Sequence, residues 1–270
     1  MSRRPVASVS EFIEIVNKLA SGSSHGKLAA FRGQTDATWP LLPAIVRRPF
    51  DATKSVCLNP DRAVDKSAEQ GLFLVFRGHA YSHFPQWVWL GNDAEIAWKQ
   101  IIIAQHYRLP TRLLDWSTNP LVALFFLLEG NPGKCRHRQP CECRGKTGAH
   151  HGAVFVLLKQ DTFSAASLAK ENAQPPLYKG RHDPGLIRPP DIDRRIAAQG
   201  SLFSIGSRPT EPIQPNEIIP IDEESREPLL RQLDTLGINR RTLFPDLEGI
   251  SDYLKWSAHD WVPDPGYLSK

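Results

Sequence analysis

The amino-acid sequence predicts an α+β fold, a single domain in which a small central mixed or antiparallel sheet is surrounded by helices. Two features of the 270 residues point to this class. Apolar residues recur at helical spacing near both ends of the chain, from Val9 to Leu19 and from Leu229 to Leu254. Short strand-like segments lie between these helices: LAAFRG at 28–33, TRLLDW at 111–116, AVFVLL at 153–158 and LFSI at 202–205. Because no break in composition divides the chain, we expect one domain over residues 1–270.

The composition is that of an ordinary soluble globular protein, with 41% hydrophobic and 23% charged residues. The 33 basic and 29 acidic residues leave a formal charge of +4, which is small and scattered and gives little support for nucleic-acid binding. No apolar run approaches the length of a membrane span, and the N-terminal MSRRPVASVSEF lacks a signal-peptide core. We therefore predict a cytoplasmic protein that does not associate with membranes.

Three helices are predicted before the middle of the chain. The first begins at Ser8, which is expected to form a capping box with Glu11. Good helix formers predict the second over residues 63–80. Asp93 is expected to cap the third, which runs to Gln105.

Two further helices are predicted near the C-terminus. Leucines at helical spacing mark the first, which stops at Gly237. Pro245 is expected to open the second, whose apolar residues share one face: Leu247, Ile250 and Leu254.

Residues 105–128, QHYRLPTRLLDWSTNPLVALFFLL, combine polar side chains with a long apolar run. A turn at Leu109-Pro110 leads into the strand-like TRLLDW. Asn119 is a good helix N-cap, and Pro120 occupies the first helical position, where its missing N–H has no consequence. The following residues are almost all apolar, which predicts a helix buried on most faces. Backbone N–H groups at the start of such a helix, beside a strand end, favour an anion such as a phosphate.

Charged residues beside these strands have two interpretations each. Arg32 at a strand end can hold a phosphate or carboxylate through two parallel hydrogen bonds, or it can form a structural salt bridge. Gly33 lets the backbone turn or lie close to another group. Arg112 and Asp115 either belong to a functional site or form a buried ion pair at the corner between helix and strand.

A polar, basic loop at residues 130–152 reads as an insertion between a helix and a strand. Its cysteines and histidines could supply thiolate and imidazole ligands for zinc: Cys135, Cys141 and Cys143, with a fourth ligand from His137, His150 or His151. The spacing is C-x5-C-x-C rather than the C-x2-C usual in zinc sites. The alternative is an exposed basic loop with reduced thiols.

Three segments of the chain together resemble the FRG domain, a prokaryotic module. They are Phe31-Arg32-Gly33; Gln105-His106-Tyr107 with Leu109 to Ser117 and Ala123-Leu124-Phe125; and Gln199-Gly200 followed by Phe203. The resemblance extends from the opening helix to LFPDLEGISDYL near the C-terminus. The Cys/His loop is not part of the pattern, so the resemblance implies nothing about metal there.

The order of these residues also resembles that of mono-ADP-ribosyltransferases, which implies a split sheet that binds NAD. Arg32 would grip the NAD phosphate, and Asp115 and Ser117 would flank the site that supports the nicotinamide ribose. Gln199 falls where the transferases have a Glu that orients the ribose and the nucleophile. A neutral amide can bind a ribose hydroxyl but cannot accept a proton or stabilise an oxocarbenium ion by charge. Either Asp115 supplies the missing carboxylate, or the site binds a nucleotide without efficient transfer; His106 is a candidate base.

The resemblance thus implies two sets of site residues. The candidate catalytic residues are Arg32, Asp115, Gln199 and His106. The residues expected to bind NAD are Arg32, Gly33, Gln34, Tyr107, Thr111, Arg112 and Ser117.

Three functions are compatible with the sequence. The first is an ADP-ribosyltransferase or NAD glycohydrolase, a toxin or phage-defence effector that uses NAD as substrate and modifies a macromolecular target. The second is a non-catalytic module that binds a nucleotide or nucleic acid, suggested by Gln199 and by the basic loop at 136–144. The third is a structural or interaction protein whose polar cluster is a buried network.

Overall fold

The computed structural model describes residues 4–21, 28–46, 66–130, 152–160, 162–170, 185–190, 192–205 and 209–258. The α-helices are α1 Val9–Ser21, α2 Lys66–His79, α3 Asp93–His106, α4 Pro120–Glu129, α5 Ala165–Lys170, α6 Arg194–Gln199, α7 Arg226–Thr235, α8 Arg240–Leu243 and α9 Leu247–Ser257. The strands are β1 Leu28–Gln34, β2 Leu114–Ser117, β3 Ala153–Gln160, β4 Thr162–Phe163, β5 Gly185–Ile187, β6 Ser201–Ile205 and β7 Glu217–Pro220. Short 3-10 helices occur at Ala44–Val46, Tyr81–His83 and Gln86–Trp89.

Within the described residues the strands form one seven-stranded sheet in the order β4-β5-β6-β2-β1-β3-β7. The β4–β5 pair is parallel and the other neighbours are antiparallel, so the sheet is mixed. The predicted α+β class, with a central mixed sheet and helices around it, is confirmed. No helix in the described part of the chain is long and apolar enough to cross a membrane.

The sheet opens between β1 and β2. These strands pair at a single position, Phe31 opposite Ser117. By contrast, β1 pairs with β3 from Leu28 to Gln34, and β2 pairs with β6 along its whole length. Each central strand is therefore held firmly on its outer side, while the backbone groups facing the gap need other partners.

Helix α4 packs directly on β1 because Gly33 has no side chain. A Cβ atom at this position would lie 2.0 Å from the carbonyl oxygen of Ala123 and 2.9 Å from Cβ of Leu127. Such distances are far below any van der Waals contact. The interpretation of Gly33 as a site of close approach is confirmed, and the group that approaches is the helix backbone. This packing fixes α4 against the edge of the gap.

Capping residues and apolar spacing predicted most of the helices, but the predicted and observed helix ends differ. The cap of α3 is Asn92, whose side chain accepts from the Glu95 N–H, so the prediction of Asp93 as cap was wrong by one residue. Asn92 has the extended backbone that a cap requires, whereas Asp93 is already helical. Ser8 caps Glu11 as predicted, but the Glu11 carboxylate accepts from the Ala7 N–H, so the capping box is only half formed.

The last helix begins at Leu247, two residues after Pro245, which was expected to open it. Asp246, rather than Pro245, caps α9, and its side chain accepts from the Gly249 N–H. The apolar residues that share one face of α9 are exposed: Leu247, Ile250 and Leu254.

The predicted insertion follows α4 and precedes β3. Its residues 131–151, with Cys135, Cys141, Cys143 and His150, lie outside the described residues. Zinc binding there therefore stays a prediction. Among the described residues, no group of three or more His, Cys, Asp and Glu side chains could hold a metal ion.

Candidate functional site

A cleft of about 460 Å³ lies where β1 and β2 separate. The end of α3, the first turns of α4, the helix α6 with the start of β6, and Phe244 after α8 complete its walls. Six of the sequence-predicted site residues line it: Arg32, Gly33, His106, Asp115, Ser117 and Gln199. Residues from distant parts of the sequence are thus brought to one cavity.

Arg32 spans the gap between the two strands. Its Nη1 donates to the backbone carbonyl of Asp115 at 2.7 Å, and its Nε donates to Oε1 of Gln34 at 3.4 Å. The Arg32 side chain is 14% exposed, and its guanidinium is 3.9 Å from the Asp115 carboxylate. The arginine therefore supplies a hydrogen bond that a continuous β-ladder would otherwise provide.

Asp115 presents its carboxylate to the cleft with 56% of the side chain exposed. Gln105 orients this carboxylate by donating from Nε2 to both of its oxygens, at 3.0 and 3.1 Å. Thr111 in turn donates to Oε1 of Gln105 at 2.6 Å, and its hydroxyl accepts from the Leu113 N–H at 3.0 Å. The chain Thr111–Gln105–Asp115 fixes both the carboxylate and the amide that faces it.

Ser117 and Gln199 are joined across β2 and the end of α6. The Ser117 hydroxyl donates to the Gln199 carbonyl at 2.7 Å and accepts from the Asn119 N–H at 2.9 Å. The Gln199 side chain donates from Nε2 to the carbonyl of Leu243 at 3.0 Å. A Glu at this position could not make that last bond, because an ionised carboxylate has no donor. The amide at position 199 is thus matched to its surroundings.

His106, the last residue of α3, forms a pair with Asp193. Its Nε2 lies 2.5 Å from Oδ2 of Asp193, while the other carboxylate oxygen caps α6 by accepting from the N–H groups of Arg195 and Ile196. Because the carboxylate holds the proton on Nε2, Nδ1 is the nitrogen with a lone pair in the neutral ring. The arrangement matches that of a histidine base oriented by an acid.

The remaining predicted NAD-binding residues lie outside the lining of the cleft. Arg112 is buried and forms a two-point ion pair with Glu69, with Nε to Oε1 at 2.8 Å and Nη2 to Oε2 at 2.5 Å. The predicted buried ion pair between Arg112 and Asp115 is therefore wrong, because each of these residues has a different partner. Gln34 donates to the Trp39 carbonyl, and Tyr107 is exposed beside His106. A role for these residues and Thr111 in binding NAD stays a prediction.

Sequence reasoning missed several residues of the cleft. Arg108, Arg195, Phe126 and Phe244 line it, and Asp193 orients His106. Only Asp193 carried a usable signal, as an N-cap type of residue just before RRIAAQ. The others are ordinary surface or core residue types whose position depends on how distant segments pack.

Arg195 and Asp246 connect the cleft to α9. Arg195 donates to Asp246 from Nε at 3.0 Å and also from Nη2, and its guanidinium lies 5.3 Å from the Phe244 ring centroid. The Gly249 N–H and the Arg195 guanidinium, which donate to the carboxylate, hold the pKa of Asp246 below its usual range.

Comparison with protein families identifies an FRG domain over residues 27–134. The matched segment runs from β1 through α4, so it contains Arg32, His106, Asp115 and Ser117, while Gln199 lies beyond it. The FRG resemblance is confirmed over this segment. Neither the curated proteins nor the solved structures gave a significant match to the chain.

Proposed function

We propose that this FRG-domain protein is an enzyme that cleaves the bond between nicotinamide and ribose in NAD, as an ADP-ribosyltransferase or an NAD glycohydrolase. One observation carries the proposal: Arg32, Asp115 and Gln199, on separate segments, line one cleft at the split between β1 and β2. These are the positions that the transferase resemblance implies for phosphate, ribose and nucleophile.

The size and walls of the cleft suit part of a nucleotide. Its volume of about 460 Å³ falls within the range of small-molecule sites, roughly 300–1,000 Å³. Two partly buried aromatic rings, Phe126 and Phe244, supply surfaces on which a nicotinamide or adenine base can stack. Three arginines against one carboxylate among the described lining residues favour an anionic ligand.

The chemistry assigns a role to the one acidic side chain described in this lining. As the bond from C1′ to the nicotinamide nitrogen breaks, its electron pair leaves with neutral nicotinamide, and positive charge develops on the ribose. The Asp115 carboxylate, held by Gln105, can stabilise that charge. It therefore supplies what Gln199 lacks.

His106 is the proposed general base. Water or a nucleophile of the target adds to C1′ and transfers its proton to Nδ1 of His106, which later releases it to solvent. With water, the products are ADP-ribose, nicotinamide and one proton. Asp193 keeps the ring in the required tautomer through Nε2.

The test is nicotinamide release from NAD by the purified protein and by variants. We expect release by the wild type, and a fall of roughly 10²–10⁴-fold in His106→Gln, the range for loss of a general base. Asp115→Asn should also reduce release. His83→Gln and Asp93→Asn, which change exposed residues outside the cleft lining, are the matched controls. Absence of both nicotinamide release and a thermal shift with NAD would contradict the proposal.

A non-catalytic nucleotide-binding module is the second candidate. The favouring observation is the bond from the Gln199 amide to the Leu243 carbonyl, which suits a neutral residue where the transferases have a Glu. NAD binding without turnover in the wild type and in Gln199→Glu would support it. For nucleic acid as ligand, affinity must fall steeply with salt. An affinity that does not change with salt concentration would exclude nucleic acid as the ligand.

An effector role in toxicity or phage defence belongs to the enzyme hypothesis. It requires that NAD consumption or target modification harm the cell. Growth arrest on expression of the wild type but not of His106→Gln would support this role. Equal growth of both strains, at equal protein levels, would argue against it.

A further inference from the structure

Among the described residues, three arginines line the cleft, and two of them are engaged by acceptors of the protein itself. Arg32 donates to the Asp115 carbonyl and to Gln34. Arg195 donates from two nitrogens to the Asp246 carboxylate. Both guanidinium groups therefore hold parts of the fold together at the border of the cavity.

The third, Arg108, differs from them. Its side chain is exposed at the cleft and makes no hydrogen bond or ion pair with the residues that the structure describes. A guanidinium offers five N–H donors in a planar fork that matches two oxygens of a phosphate. Arg108 can thus give its donors to a ligand without breaking a bond within the described structure.

The backbone of Arg108 carries a second, independent signal. Its φ is 66°, and the other described residues with positive φ are all glycines: Gly91, Gly200 and Gly237. Arg108 follows the C-cap of α3, where its N–H donates to the Gln105 carbonyl and the Leu109 N–H donates to the Ala104 carbonyl. This is the Schellman arrangement, in which glycine is the favoured residue because a Cβ atom strains the left-handed backbone. An arginine at a position that favours glycine points to a role for its side chain.

We infer that Arg108 binds the phosphates of the ligand in the cleft and that this ligand contains a nucleoside diphosphate. Arg32 instead braces the split sheet. The identity of the ligand rests on the proposed function, but anion binding by Arg108 can be measured without turnover. The phosphate contact then lies at the end of α3 rather than on β1. The ligand would then lie between Arg108 and the aromatic wall at Phe126 and Phe244.

A helix C-terminus also attracts any cation, so the test must separate that effect from ligand binding. Calorimetric titrations at fixed ionic strength would use ADP, inorganic pyrophosphate and adenosine as probes. The variants are Arg108→Gly, Arg108→Lys and Arg32→Ala. Arg194→Ala is the control, because Arg194 is an exposed arginine of α6 outside the cleft lining.

Arg108→Gly should lower the affinity for ADP by about ten- to hundredfold, as expected for loss of charge-assisted hydrogen bonds. Its melting temperature should equal or exceed that of the wild type, because glycine relieves the backbone strain. Arg108→Lys should recover part of the affinity, and Arg194→Ala should bind like the wild type. Pyrophosphate should show the same order of variants if the diphosphate is recognised by itself. Adenosine should be insensitive to position 108.

Wild-type affinity for ADP in Arg108→Gly would overturn the inference, as would a wild type that binds neither ADP nor pyrophosphate. An equal loss in Arg194→Ala would also overturn it, since general charge would then explain the binding. Nicotinamide release separates this inference from the proposed function. ADP binding that depends on Arg108 without any release from NAD would refute the enzyme alone. Turnover of NAD with unchanged KM in Arg108→Gly would refute the role of Arg108 alone.

Discussion

At the scale of single residues, the same side-chain type has opposite roles within one cleft. Arg32 is held by acceptors on both sides of the gap between β1 and β2, whereas Arg108 has its guanidinium exposed. The number of donors left for a ligand, rather than the presence of an arginine, decides which residue can recognise a phosphate. We therefore expect Arg32 to contribute to the stability of the site rather than to phosphate recognition.

Replacing Arg32 by Ala should lower the free energy of unfolding by about 0.5–1.5 kcal/mol, the net contribution of a typical intramolecular hydrogen bond. The group affected is the carbonyl of Asp115, which faces the gap between the strands. Denaturant unfolding of the variant beside Arg194→Ala would measure the difference. If both variants unfolded like the wild type, Arg32 would not be a brace.

At the scale of elements, the position of α4 depends on one glycine. Gly33→Ala would place a methyl group 2.0 Å from the Ala123 carbonyl oxygen, so the helix or the strand must move. We expect a loss of about 1–3 kcal/mol in the free energy of unfolding, as for other overpacked cores. Because α4 borders the cleft, ligand binding should weaken as well. Thermal unfolding and NAD titration would measure the two effects.

The matched control for this change is Gly71→Ala in α2. Within the part of the chain that the structure describes, no atom lies within 4 Å of a Cβ atom at Gly71, and the residue is in the interior of a helix. Alanine there should stabilise the protein by roughly 0.5–1 kcal/mol through helix propensity. Equal effects of the two substitutions would show that close packing at Gly33 is not what requires the glycine.

The cap of α9 predicts a dependence on pH. The pKa of Asp246 is lowered in the folded protein by the Gly249 N–H and by Arg195. A lowered pKa means that the carboxylate adds stability above its unfolded pKa, about 3.9, and that this stability is lost as the pH falls through the lower folded value. In Asp246→Asn, the difference in unfolding free energy from the wild type should be constant from about pH 5 to 8 and shrink below about pH 4. A difference that persisted unchanged at about pH 2 would contradict this assignment.

At the scale of the whole molecule, the cleft joins the FRG-matched segment to the rest of the chain. The segment 27–134 contains β1, β2, α3 and α4, but β3 and β6, the outer partners of the two central strands, follow it. His106 likewise depends on Asp193, and Ser117 depends on Gln199. The family match therefore covers most of the described lining residues but not the complete site.

A fragment of residues 27–134 should accordingly fail to fold by itself. Its two central strands would meet only at Phe31 and Ser117, and their other backbone groups would lose their partners. Circular dichroism and thermal unfolding of the fragment beside the full chain would measure this. A cooperative transition in the fragment would show that the matched segment is an independent folding unit.

The sequence by itself determined the features that depend on neighbouring residues. Asn119 and Pro120 start α4 as predicted, because a cap acts on N–H groups within the next turn. Gly33 indicated either a turn or a close approach, because glycine permits both. The apolar runs located the buried strand β3 and the buried helix α4, since burial of a whole segment leaves a continuous hydrophobic pattern.

Only the tertiary structure decided which distant side chains meet. Arg112 could have paired with Asp115, but its partner is Glu69 on α2. His106 gained an orienting acid in Asp193, and Arg108 became the exposed guanidinium of the cleft through the way α3 ends beside the split sheet. Hydrogen bonds and ion pairs act over a few ångströms in space, so residues far apart in sequence acquire their partners only when the sheet and helices pack.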